Sequence, residues 1–228
     1  MLMPRHILHE FEHALDALRA DVLMMASLTD RNLQNAMSCL LDRDVEMCAI
    51  AVVDEAEIDA LEKKVDAEGI NILLRFQPVA SDLRQVISAM KLSSNLERIA
   101  DQGVKIAERA RSLAMEPMLD DAVALGPMFV EATTLFRDSV RAYADADVAL
   151  ARGLNARDRE IDAMNRQIAR ELTGCMSRNP DRIEDYLHLL FIARYLERVG
   201  DHAKNIGEDA VYAAEAEDIR HIKNSLVA

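Results

Sequence analysis

Residues that punctuate sheets are scarce in this sequence: 228 residues contain only 7 Gly and 5 Pro, where an average composition holds roughly 7% and 5%. Trp is absent and aromatics amount to 4%. With so few turn formers, and with Ala, Leu, Asp, Glu, Arg and Met dominant, all-β and α/β architectures are excluded in favour of helices. Cys39, Cys48 and Cys175 form no CxxC, which argues against a thiolate zinc site and implies no disulfide framework. Free buried thiols of this kind suit a reducing cytoplasm. No apolar run approaches the roughly 20 residues of a membrane helix, and the first ten residues lack the apolar stretch of a secretory leader. A cytoplasmic chain that meets membranes only through protein partners is expected. Positive charge is also short: 27 Lys and Arg stand against 40 Asp and Glu, a balance of −13. Such a surface repels a phosphate backbone, and no basic stripe reverses it locally, so nucleic acid is excluded as a partner. No GxSxG, phosphate-cradling glycine loop or Cys/His pairing is visible, and the chain is not read as an enzyme.

The chain does contain a duplication. Leu96 to Ala110 aligns with Leu196 to Ala210 at an offset of 100, with seven of fifteen positions identical. Upstream, Glu57 to Ala60 matches Glu160 to Ala163 at an offset of 103, as Asp44-Val45 matches Asp147-Val148. The three-residue difference belongs to a loop. Breakers are confined to a few points: 42–44, Gln77-Pro78, Glu116-Pro117, Gly126-Pro127, 144–147 and Asn179-Pro180. Between them apolar residues recur at three and four, as in Phe11, Leu15, Leu18, Val22 and Met25. Helices are predicted at 5–41, 44–75, 79–114, 119–144, 147–176 and 181–214. Short connections make neighbours antiparallel. The expected fold is all-α: two tandem, pseudo-symmetric three-helix bundles, residues 1–116 and 117–228.

Four i, i+4 acid pairs occupy matching positions: Glu55/Asp59 and Asp158/Asp162 on the second helix of each half, Glu97/Asp101 and Glu197/Asp201 on the third. Among 40 acids in 228 residues about seven such spacings arise by chance, so a single pair is uninformative. Their placement carries more. At about 100° per residue, Glu97 and Asp101 lie within about 40° of each other and border the apolar face, while Arg98, Lys105 and Arg109 lie further round. Glu55, Asp59, Glu62 and Asp66 likewise share a strip beside Ile58, Leu61 and Val65. Height agrees as well. The midpoints of the two first-half pairs average to position 78, which is Pro78, and those of the second half to 179.5, between Asn179 and Pro180. Each hairpin should therefore bring four carboxylates together at one level.

Such a quartet is costly by itself, because each like-charge i, i+4 pair costs about 0.2–0.5 kcal/mol and the facing pair adds repulsion. It can be relieved by neighbouring Arg98 and Arg198, by raised carboxyl pKa values or by a bound cation. Oxygen donors suit Mg, Mn and Fe, with Zn also compatible. His202 follows Asp201, but Gln102 is its counterpart, so an imidazole ligand is not required twice. His6, His9 and His13 read as solvated side chains.

Gln77 to Arg84 followed by Leu96 to Asp101, and Asn179-Pro180 followed by Leu190 to Arg194 and Leu196 to Glu208, resemble the paired signatures of the PhoU family of phosphate-transport regulators. The resemblance covers nearly the whole chain, including its tandem layout. It implies a cytoplasmic, commonly homodimeric protein that restrains phosphate uptake and represses phosphate-starvation genes. The implied partners are the ATPase of the phosphate ABC transporter and a phosphate-sensing histidine kinase. It also implies multinuclear iron or zinc clusters on E/D-x-x-x-D motifs, matched here by Glu55, Asp59, Glu97, Asp101, Asp158, Asp162, Glu197 and Asp201. Lys105, where the second half has Asn205, departs from the pattern and adds positive charge beside the first cluster. A different class of reading is a metal-handling or di-iron helical bundle unrelated to phosphate signalling.

Overall fold

In the computed structural model, which describes residues 4–220 with side chains from residue 9 onward, six helices carry nearly the whole chain. They are α1 (Pro4–Leu41), α2 (Val45–Phe76), α3 (Ala80–Ala114), α4 (Leu125–Asp145), α5 (Val148–Arg178) and α6 (Ile183–Glu215). Helices α1–α3 form one antiparallel bundle and α4–α6 a second. No strand occurs among the described residues. The all-α tandem architecture read from the sequence is the one observed.

Helix bounds agree with expectation to within two residues except at α4, which starts at Leu125 and not at 119. Pro127 is the reason. It lacks an N–H and disfavours helical backbone at the residue before it, so it is best placed in a first turn, where amides have no intrahelical partner. The residues ahead of it, Asp120–Ala124, wind as a short 3-10 turn. A second such turn, Pro180–Arg182, leads into α6.

The duplication is visible in the turns. Asp44 and Asp147 both cap the following helix, accepting hydrogen bonds from the amides of Glu46 and Leu150. Each cap stabilises its helix by about 1 kcal/mol. The residues before them, Arg43 (φ 57°) and Ala146 (φ 53°), both turn the chain through left-handed backbone. Between α2 and α3 the turn falls at Gln77, also left-handed, just before Pro78.

Helices of this length, about 50 Å at 1.5 Å per residue for all but the shorter α4, are held by burial of an apolar stripe and not by propensity. Repeat-related residues supply it: Ile58 and Ile161, Leu96 and Leu196, Ile99 and Val199, and Ile106 and Ile206 are all fully buried. Each such side chain contributes about 1.5–3 kcal/mol. The core runs without a break from one bundle into the other.

Helices α3 and α6 join the bundles, and their contacts obey the offset of 100. Lys91 Nζ meets Asp209 Oδ1 at 2.9 Å, and Ser88 Oγ lies 3.5 Å from the Asp209 carbonyl. The reciprocal positions are 191, 188 and 109. There the Arg109 guanidinium sits 4.6 Å over the Phe191 ring and 3.4 Å from His188 Nδ1. One local pseudo-twofold axis thus relates the two ends of the interface.

One expectation from the cysteines is corrected. Cys39 and Cys48 are joined in a disulfide, with Cα atoms 5.6 Å apart, and only Cys175 is free and buried. The pairing arises because the left-handed turn at Arg43 folds the last turn of α1 beside the first turn of α2, a proximity that linear spacing does not reveal. Among the described residues no helix is long and apolar enough to cross a membrane.

Candidate functional site

Each hairpin aligns its acids along the seam between its second and third helices, and none of the eight is fully exposed. In the first half the Glu55 carboxyl is pushed above its ordinary value by burial and then by the charges of Asp59, Asp101 and Glu97. Burial also raises Glu97, against the pull of Arg98, with Asp101 and Asp59 adding to the rise. Glu62 belongs to the same group, raised by burial and then by Glu97. In the second half, burial raises Asp158 in spite of Lys204, with Asp201 and Asp162 contributing. Glu197 is raised by burial, against Arg194, and then by Asp201, Asp162 and Asp158. Members of each quartet therefore lie within electrostatic reach of one another across the two helices.

The halves differ in depth and in counter-charge. Asp158 is 5% and Glu197 8% exposed, whereas Asp162, Asp201 and all four first-half acids are half-buried. In the first half Lys105 Nζ reaches Asp101 Oδ2 at 2.6 Å along its own helix, and Arg98 Nε lies 3.3 Å from Glu97. In the second half Lys204 Nζ crosses between helices, 2.7 Å from Asp158 Oδ2 on α5 and 3.1 Å from Asp201 Oδ1 on α6. Arg194 Nη1 donates to Glu197 Oε1 at 2.5 Å, but Glu197 Oε2 is buried with no hydrogen-bond partner. A Cβ on Gly200 would lie 3.0 Å from Ile161 Cδ1 and 3.3 Å from Asp158 Oδ1, and the first-half counterpart is Ala100. The glycine lets Ile161 and Asp158 of α5 sit against α6.

As metal ligands these donors fit by chemistry, since half-buried carboxylate oxygens suit hard and borderline cations. They are not gathered for one. Among the described residues no three Asp, Glu, His or Cys side chains converge closely enough to hold an ion. In the first half Glu55, Asp59, Glu97 and Asp101 act on one another through their charges across the seam. In the second, Lys204 stands between Asp158 and Asp201.

His202 Nδ1 lies 3.2 Å from Asn95 Oδ1 on α3, and burial holds its pKa below the ordinary value, so it is engaged at the interface between bundles. His9 and His13 stack with ring centres 4.4 Å apart, and the His6 side chain lies outside the described residues. Lys204 is not among the site residues expected from the sequence. Its signal was the i, i+3 spacing from Asp201, together with an apolar Val104 at the related position.

A chain of two three-helix units, each with acid pairs facing across its second and third helices, is an acid-lined tandem helical-bundle protein. The sequence profile of the PhoU domain matches it twice, over residues 22–110 and 125–210, one match in each bundle. The chain belongs to the PhoU family. It is 34% identical over 222 residues to a Pseudomonas putida protein described as a phosphate-specific transport system accessory protein PhoU homolog, covering 96% of this chain and 86% of that protein. The crystal structure of PhoU from Pseudomonas aeruginosa superimposes with a TM-score of 0.88 at 31% identity, covering 91% of this chain and all of the other. The phosphate transport system regulatory protein PhoU from Streptococcus pneumoniae gives 0.83 at 26% identity, covering 92% and 99%.

Proposed function

We propose that this chain is a negative regulator of phosphate uptake and of the phosphate-starvation response. It acts as a cytoplasmic helical adaptor, working as a homodimer, between the ATPase of the phosphate ABC transporter and its sensor histidine kinase. The observation that supports this reading best is the full-length match to accessory proteins of the phosphate-specific transport system, with the acid-bearing hairpin present in both halves. The role is non-catalytic: long rigid helices present surfaces, and the acid seams tune how firmly the hairpins hold. In this reading a hard cation, iron, zinc, magnesium or manganese, is held by the acid quartets and cross-links the second helix to the third. A bare seam repels free phosphate, so phosphate status reaches this protein through its partners or through bound metal.

Deletion in the native host, with a reporter on a phosphate-starvation promoter under phosphate excess, tests the regulator. Constitutive reporter expression is expected. A reporter that stays repressed without the protein removes the proposed role, and turnover of oxygen or peroxide by the purified, iron-loaded protein would favour a di-iron bundle instead.

A further inference from the structure

The two quartets are built from related positions but are not neutralised alike. Lys204 places one ammonium within hydrogen-bond distance of carboxylates on both α5 and α6, at 2.7 Å and 3.1 Å. One of those carboxylates, Asp158, is 5% exposed and the other, Asp201, has a side chain 47% exposed, while the lysine side chain itself is 22% exposed. This is the position a bridging cation takes, and a metal ion could not share it, since two positive charges about 3 Å apart in a half-buried seam repel strongly. The first half has no equivalent. Position 104 is Val, and Lys105 stays on its own helix with Asp101 as its partner. The first seam also carries Glu62 and Asp66, where the second has Asn165 and Ala169. Each seam thus carries one ammonium, spanning two helices only in the second, and Glu62 and Asp66 leave the first seam the more negative.

We propose that Lys204 is the resident cation of the second-half quartet, an ammonium standing where a metal would otherwise bridge Asp158 and Asp201, so that metal loads on the first half alone. Its second clause rests on the metal reading given above and narrows it from both quartets to the first; its first does not. Asp158 and Asp201 keep Lys204 in place from two helices, which approach closely at Gly200, where a Cβ would meet Ile161 at 3.0 Å and Asp158 at 3.3 Å.

Two measurements on the full chain test it. After stripping with chelator and dialysis against Mn2+, elemental analysis should find stoichiometric metal in the unaltered protein and none in Glu97→Gln/Asp101→Asn. Adding Lys204→Met to that double variant should restore about one ion per chain. Metal that persists in the double variant and is lost on adding Glu197→Gln overturns the inference, as does a Lys204→Met variant that gains none. In chelator, Lys204→Met should lower Tm by on the order of 5 °C, because it leaves a buried carboxylate unpaired. Lys105→Met should lower it by less than about 2 °C. Equal shifts overturn the assignment of Lys204. If the unaltered protein binds no metal, the metal reading fails while the melting comparison still decides the role of Lys204. Should Lys204→Met not fold without metal, recovery on adding Mn2+ supports the proposal and failure to recover overturns it.

Discussion

The first and second halves place an ionic link at the same point of the fold with the charges exchanged. In the first, Asp54 on α2 accepts from Arg31 Nε at 3.0 Å and Asn35 Nδ2 at 2.9 Å, both on α1. In the second, Arg157 on α5 donates to Glu131 at 2.9 Å and Asp138 at 2.6 Å, both on α4. Asp54 and Arg157 are repeat-related at the offset of 103, as are Asn35 and Asp138. The bundle therefore calls for a polar link between its first two helices at this height, and either sign serves. Burial is divided differently: Asp54 is 1% exposed but its partner Arg31 53%, whereas Arg157, Glu131 and Asp138 are 27%, 30% and 19% exposed. The duplicated helices preserve position more strictly than chemistry, and the same holds for the acid seams.

The most severe way to break this comparison is to remove each arginine. Arg31→Met leaves the buried Asp54 with Asn35 alone and should cost about 2–3 kcal/mol in urea unfolding. Arg157→Met leaves carboxylates that can rehydrate, one of them still paired with Arg141, and should cost about 1 kcal/mol. Equal losses would show that burial is not what distinguishes the two links.

The capping aspartates offer the opposite case, a feature the halves share. Asp44→Ala and Asp147→Ala should each cost about 1 kcal/mol, and the double variant should show their sum. A marked inequality would mean that one α-helix start depends on more than its cap.

The smallest effect concerns the two ends of the α3–α6 interface, an ion pair at Lys91–Asp209 and a His–Arg contact at the other end. Burial, and next the Arg109 charge, hold the His188 pKa below its ordinary 6.5, against Glu184 and Asp185. The folded state thus favours the neutral ring. Stability is full above about pH 6.5 and declines as pH falls through the depressed folded value, because the unfolded chain takes up the proton first. Between pH 7 and 5, His188→Asn should remove about 1–2 °C of the fall in Tm. An unchanged slope would show that His188 contributes nothing to it.

Much of this was legible in the linear chain. The breakers at 42–44, Gln77-Pro78 and Asn179-Pro180 gave the turns, and apolar periodicity gave the helices between them. The acid pairs were readable because a helix converts spacing into angle and a hairpin converts distance from the turn into height. The start of α4 was misplaced because Pro127 constrains the residues before it more than apolar spacing reveals. The crossing of Lys204 was missed for a related reason. Lys105 and Lys204 look alike in sequence, each three or four residues beyond an aspartate, and nothing local says which will lean along its own helix.

The sequence by itself determined the six helices, their doubling and the level at which the acids gather, since each follows from repeats within one helix or one hairpin. Tertiary structure alone decided which cation bridges the seam, that Cys39 meets Cys48, and how α3 lies on α6. Those outcomes depend on how closely helices approach, which is set by distant packing partners: Gly200 admits Ile161 and Asp158 against α6 where Ala100 stands in the first half, and no period along a single helix encodes that distance.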